Sequence, residues 1–175
     1  MKKHIPNFLS AVRILLTGVF AYLVLFRYPD SLPYALAVFV LAGFTDVADG
    51  ILARRFGWIT DLGKILDPVA DKLMQCVALL CLYLKDVVPF WILLFFVVKE
   101  LLLAAGAMLL FQRRRIIGVS RWTGKAAAVI FYISIALIVL FAPQLGIYVN
   151  LLCLLPAVSG LIAVLSYIIG YRNAA

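Results

Sequence analysis

Six apolar runs, each about twenty residues long, take up almost the whole chain, and no other feature constrains its fold as tightly. They lie at 7–26, 33–53, 65–84, 88–111, 122–142 and 147–169. A helix of about 20 apolar residues crosses the hydrocarbon core of a bilayer, so each run is long enough to span. In lipid the backbone must satisfy its own hydrogen bonds, which leaves helices and closed barrels. These runs lack the strict alternation of a barrel strand, so they read as helices. The expected fold is all-α: a polytopic membrane protein with six transmembrane helices, forming one domain over residues 1–175.

Composition agrees. The chain is 66% hydrophobic and 14% charged, whereas soluble domains are about 45–50% apolar and about 25% charged. No small-residue cleavage site follows Phe26, so the first run is expected to remain as a span rather than act as a cleaved signal. Turn signals separate the runs at Arg27-Tyr28-Pro29-Asp30, at Lys85-Asp86 before Pro89, and at Ala142-Pro143-Gln144. Cys76, Cys81 and Cys153 fall inside apolar runs without CxxC spacing, and read as small apolar fillers rather than disulfides or zinc ligands.

The net charge of +8 lies between apolar spans, where a lipid surface is the expected partner and nucleic acid is not. Lys2, Lys3, Arg13, Arg54, Arg55, Lys64, Arg113, Arg114, Arg115, Arg121, Lys125 and Arg172 fall on one side; only Arg27 and Lys85 fall on the other. Twelve against two places both termini on the cytoplasmic side.

The acids are concentrated. Five of the eight lie between Asp46 and Asp71, and four of these are inside spans: Asp46, Asp49, Asp67 and Asp71. A charge at bilayer depth costs at least ~2.5 kcal/mol, and the neighbouring lysines are too few to neutralise four carboxylates. Asp46 and Asp49 are i,i+3, and Asp67 and Asp71 are i,i+4, so each pair shares a helix face. The two helices run antiparallel across a short loop, which lets the faces meet. Four hard oxygen donors suit Mg²⁺, Mn²⁺ or Ca²⁺ rather than zinc or copper. Gly50, Ala53 and Gly63 leave room for a ligand beside them, and Arg54 stands ready for a phosphate.

The segment Asp46-x2-Asp49-Gly50-x2-Ala53-Arg54-x8-Gly63-x3-Asp67-x3-Asp71 resembles the signature of the CDP-alcohol phosphatidyltransferase family at all eight fixed positions. The resemblance implies an enzyme of the bacterial cytoplasmic membrane, with six spans, a cytoplasmic active site and a homodimeric assembly. It implies Mg²⁺ or Mn²⁺, as two ions, held by Asp46, Asp49, Asp67 and Asp71, with Asp71 also the catalytic base. Gly50, Ala53, Arg54 and Gly63 would line the site for CDP-diacylglycerol. The opening Ile5-Pro6-Asn7-x-Leu9-Ser10-x2-Arg13 is similar to the phosphatidylglycerophosphate synthase branch, whose acceptor is glycerol 3-phosphate. The cardiolipin synthase branch, which uses phosphatidylglycerol, shares much of the same pattern.

A phosphate-bearing acceptor needs cations. Lys99, beside Glu100 in the fourth run, is the first candidate, with Arg121 and Lys125 at the start of the fifth. Charge in mid-membrane points to function by default, although Lys99 and Glu100 could equally pair with each other. Two other classes compete with the enzyme: a divalent-cation transporter with carboxylates along its path, and a membrane scaffold carrying a relic motif. The acids cluster at one depth and all four aspartates are intact, which argues against both.

Overall fold

The computed structural model describes the backbone of residues 5–56, 61–112, 121–145 and 148–174, and side chains over 8–46, 56, 66–103, 123–124, 126–141 and 148–166. The described residues form six α-helices and no strand: α1 Ile5–Arg27, α2 Leu32–Phe56, α3 Asp61–Leu84, α4 Phe90–Gln112, α5 Arg121–Leu145 and α6 Tyr148–Ala174.

Helix ends follow local chemistry. After α3, the Asp86 amide donates to the Tyr83 carbonyl and the Val87 amide to the Leu82 carbonyl, each at 2.9 Å. This is the Schellman pattern, with the left-handed residue supplied by Asp86 at φ 56°, a conformation that aspartate tolerates better than most side chains. The first two expected turns fall where the sequence places them. The third does not, because α5 continues through Pro143 to Leu145. A proline removes one rung of the helical ladder, and in the final turn that loss leaves only a short stretch of helix to disturb.

Helix α1 packs along both α2 and α3, much more extensively than those two pack on each other. Helix α5 lies against α2 and α6, and α4 against α3 and α6. The core between them contains Phe20, Val24, Phe39, Met74, Leu82, Phe131, Ile135 and Ile138. Ala35 and Ala42 on α2 are fully buried, since small residues let apolar helices approach closely. Phe39 links three helices, with ring centroids 5.6 Å from Phe20 and 5.1 Å from Tyr132. Cys76, Cys81 and Cys153 are free thiols.

The exterior is apolar and part of the interior is polar. Leu15, Phe26, Tyr34 and Phe44 are each about 70% exposed, while Ser10, Arg13, Thr17 and Gln75 are buried. Large apolar residues cover the outside of all six helices, an arrangement suited to lipid and hostile to water. Two stretches, Phe8–Arg27 and Tyr148–Ser166, are long and apolar enough to cross a bilayer. The apolar exterior and these two stretches suit a membrane protein.

Candidate active site

Helix α1 brings the aspartates into one neighbourhood. The guanidinium of Arg13, fully buried, lies 2.9 Å from Asp46 Oδ1 on α2, whose side chain is 38% exposed. One turn earlier on α1, the Ser10 hydroxyl donates to Asp67 Oδ1 on α3. One turn later, Thr17 donates to the Arg13 carbonyl at 2.8 Å and touches Met74 Sδ at 3.3 Å. Ser10, Arg13 and Thr17 recur at i, i+3 and i+7, a polar stripe on a helix otherwise sunk in apolar surroundings. Part of the counter-charge that the carboxylates require thus comes from Arg13 on α1.

Asp71 is held differently. Tyr132 on α5 donates to Oδ1 at 3.0 Å, and the Gln75 amide reaches Oδ1 at 3.1 Å and Oδ2 at 3.2 Å. Lys72 Nζ stands 3.7 Å from Oδ2. Asp46 lies within electrostatic range of both Asp67 and Asp71, so three of the four motif aspartates share one polar region. Among the described residues, α1 supplies direct contacts to both the α2 and the α3 aspartates.

Among the described residues, no three acidic, histidine or cysteine side chains close into a metal cage. The side chain of Asp49 lies outside the described residues. The donor set nevertheless fits a hard divalent cation. Every candidate ligand is a carboxylate, and Asp46, Asp67 and Asp71 each have a partner of the outer-shell kind that orients metal ligands. The side chains of Gly50, Ala53, Arg54, Gly63, Arg121 and Lys125 also lie outside the described residues; their backbones belong to α2, α3 and α5.

A chain of alternating charges leads away from Asp71. Lys72 Nζ is 3.2 Å from Glu100 Oε2, and Lys99 Nζ is 2.6 Å from Glu100 Oε1. Lys99 also sits over the Phe96 ring, 4.6 Å from its centroid, a favourable site for a desolvated cation. Its stem runs against Gly160 on α6, where an added Cβ would come within 2.8 Å of Cδ. Lys72, Phe96, Lys99 and Glu100 line a cavity of about 90 Å³ between α3, α4, α5 and α6, together with Gln75, Gly124 and Pro156. Lys99 therefore lines a cavity and is paired with Glu100 at the same time.

Sequence reasoning missed Ser10, Arg13, Gln75 and Tyr132 as parts of this region. The polar stripe on α1 was a readable signal for the first two. Gln75, one turn beyond Asp71, was a weaker one, and Tyr132 carried none.

The profile of the CDP-alcohol phosphatidyltransferase family matches residues 3–170. A cardiolipin synthase (CMP-forming) of Streptomyces coelicolor is 39% identical over 99 residues, covering 55% of this chain and 46% of that protein. A CDP-diacylglycerol–glycerol-3-phosphate 3-phosphatidyltransferase of Pseudomonas fluorescens is 47% identical over 79 residues, covering 45% and 40%. The Bacillus subtilis protein of the same name is 32% identical over 109 residues, covering 55% and 56%. The chain thus spans about half the length of these relatives. With a profile match over nearly all of its length and the eight motif residues in place, the chain belongs to the CDP-alcohol phosphatidyltransferase family.

Proposed function

We propose that the chain is a single-domain enzyme with six membrane spans, that its termini and active site face the cytoplasm, and that it works as a homodimer. It transfers the phosphatidyl group of CDP-diacylglycerol to glycerol 3-phosphate and releases CMP. The observation that supports this reading most is that Arg13 and Ser10 hold Asp46 and Asp67, with Asp67 and Asp71 both within reach of the Asp46 charge.

Asp46, Asp49, Asp67 and Asp71 would hold Mg²⁺ or Mn²⁺, two ions in all. When bound, the cations neutralise the diphosphate and polarise the phosphorus. Arg13 and Ser10 keep two of the ligands in place. Gly50, Ala53, Arg54 and Gly63 line the site for the CDP group. The acceptor hydroxyl gives its proton to Asp71 as its oxygen bonds to the lipid-bearing phosphorus. The bond from that phosphorus to CMP breaks, and the electron pair leaves with CMP. Positioning and charge neutralisation carry most of such a reaction.

The cavity beside Asp71 is the proposed acceptor site, with Lys99 as its phosphate ligand and Arg121 and Lys125 of α5 as further candidates. Lys72 and Lys99 balance Asp71 and Glu100, so a phosphate-bearing acceptor calls for Arg121 or Lys125 in addition. Phosphatidylglycerol is the second reading of the acceptor, in keeping with the name of the Streptomyces relative. Membership of a phosphatidyltransferase family weighs against a cation-transport function.

The test is CMP release by purified protein with CDP-diacylglycerol, Mg²⁺ or Mn²⁺, and single acceptors. Release with glycerol 3-phosphate alone supports the first reading, and release with phosphatidylglycerol alone supports the second. No release by folded, metal-loaded protein with any alcohol, alongside metal flux in sealed vesicles, would overturn both.

A further inference from the structure

Asp71 is gripped by two donors that lie outside the family motif. The Gln75 amide can face only one way. Its Oε1 lies 3.4 Å from Lys72 Nζ, which has nothing but protons to offer, so its Nε2 is left to donate to the carboxylate. The Tyr132 hydroxyl donates to Oδ1 from the opposite side, on α5.

The tyrosine is itself immobilised. Its ring stacks at 5.1 Å on Phe39 of α2 and meets Phe131 edge-on at 6.1 Å. Its Cδ1 would be 3.4 Å from a Cβ added at Gly43. The ring lies in close contact with the α2 backbone at that glycine. Ring packing between α2 and α5 thus sets the position of one hydrogen on an α3 carboxylate. Oδ1 receives the tyrosine, the amide bridges both oxygens, and Oδ2 is free of the tyrosine. It is also the oxygen beside Lys72, which lines the cavity.

We infer that Tyr132 and Gln75 are positioning residues that lock the rotation of the Asp71 carboxylate and present Oδ2 to the acceptor hydroxyl. This rests on the reading of Asp71 as the base. Tyr132 acts wholly through Asp71; Gln75 also lines the proposed acceptor cavity and acts on the reacting proton through Asp71. An unclamped carboxylate turns about its terminal torsion, which has broad, shallow minima, and then spends most of its time misdirected.

The experiment uses the full chain in detergent, with CDP-diacylglycerol, Mn²⁺ and the acceptor that the wild type accepts. Tyr132→Phe keeps the ring and Gln75→Met keeps the volume, and each removes a single donor group. The expected result is a fall in kcat of about 10- to 100-fold in each variant, the range for losing a hydrogen bond to a charged group. KM for CDP-diacylglycerol stays within about twofold, the thermal midpoint is preserved, and Mn²⁺ still saturates the substrate-free protein by EPR titration. In an Asp71→Asn background, Tyr132→Phe adds no further loss.

A kcat within about twofold of wild type in both variants overturns the inference, as does a fall that tracks loss of folded protein. Asp71→Asn separates the two layers. If that variant is inactive while Tyr132→Phe is fully active, only the positioning role fails. If Asp71→Asn turns over at the wild-type rate, the base assignment fails and the positioning role with it.

Discussion

Arg13 and Asp46 form an ion pair at 2.9 Å in which the arginine is wholly buried and the aspartate is 38% exposed. The asymmetry is informative. The cation is committed to structure inside the bundle, while the carboxylate keeps an open side toward whatever occupies the site.

Removing the cation should therefore be costly in a metal-sensitive way. Breaking a fully buried pair costs ~3–5 kcal/mol, and the open side of Asp46 reduces this to about 2 kcal/mol for Arg13→Met. Thermal unfolding in detergent should show the loss. Added Mg²⁺ or Mn²⁺ should restore part of it, because the ion supplies the missing charge at Asp46. Destabilisation that ignores divalent cations would separate Asp46 from the metal site.

Ser10→Ala removes the hydroxyl that donates to Asp67. Loss of a partner to a ligating carboxylate typically weakens metal affinity or activity by about 10- to 100-fold. An Mn²⁺ titration followed by EPR should show the lower end of that range, with little change in thermal stability. Unchanged Mn²⁺ affinity would reduce Ser10 to a packing residue.

Asp71→Asn preserves shape and removes the base. General-base catalysis contributes about 10²- to 10⁴-fold, so CMP release should fall by at least the lower figure. Mn²⁺ should still bind through Asp46, Asp49 and Asp67. Turnover at the wild-type rate would remove Asp71 from the proton transfer.

Gly160→Ala tests the acceptor cavity from its α6 wall. The new methyl would sit 2.8 Å from Lys99 Cδ, so the lysine stem must shift and its contacts with Glu100 and Phe96 change. Displacing a charge-assisted contact worth about 1.5 kcal/mol should raise KM for the acceptor roughly tenfold and leave KM for CDP-diacylglycerol unchanged. An equal rise in both would place Lys99 outside the acceptor site.

Much of the fold was legible because hydrophobic length and helical period are local properties. Six apolar runs became six helices, and most ends fell within a few residues of the expected bounds. Pro143 misled because a proline signals a break in sequence, yet in the last turn of α5 it removes only one rung. The motif aspartates could also be assigned to shared helix faces from spacing alone. Arg13 was counted among the basic residues that set orientation, since a sequence count does not distinguish a flanking arginine from a buried one.

By itself the sequence determined the class of fold, the number of helices and the shared helix faces of the aspartate pairs. Only the tertiary structure decided that α1 runs between α2 and α3, that Arg13 is the partner of Asp46, and that Tyr132 reaches Asp71 across 61 residues. The reason is physical. Helices such as α2, α4 and α6 are apolar on nearly all sides, so no stripe names their neighbours. In lipid, close packing of shapes and a few buried polar contacts make that choice, and both exist only once the helices are assembled.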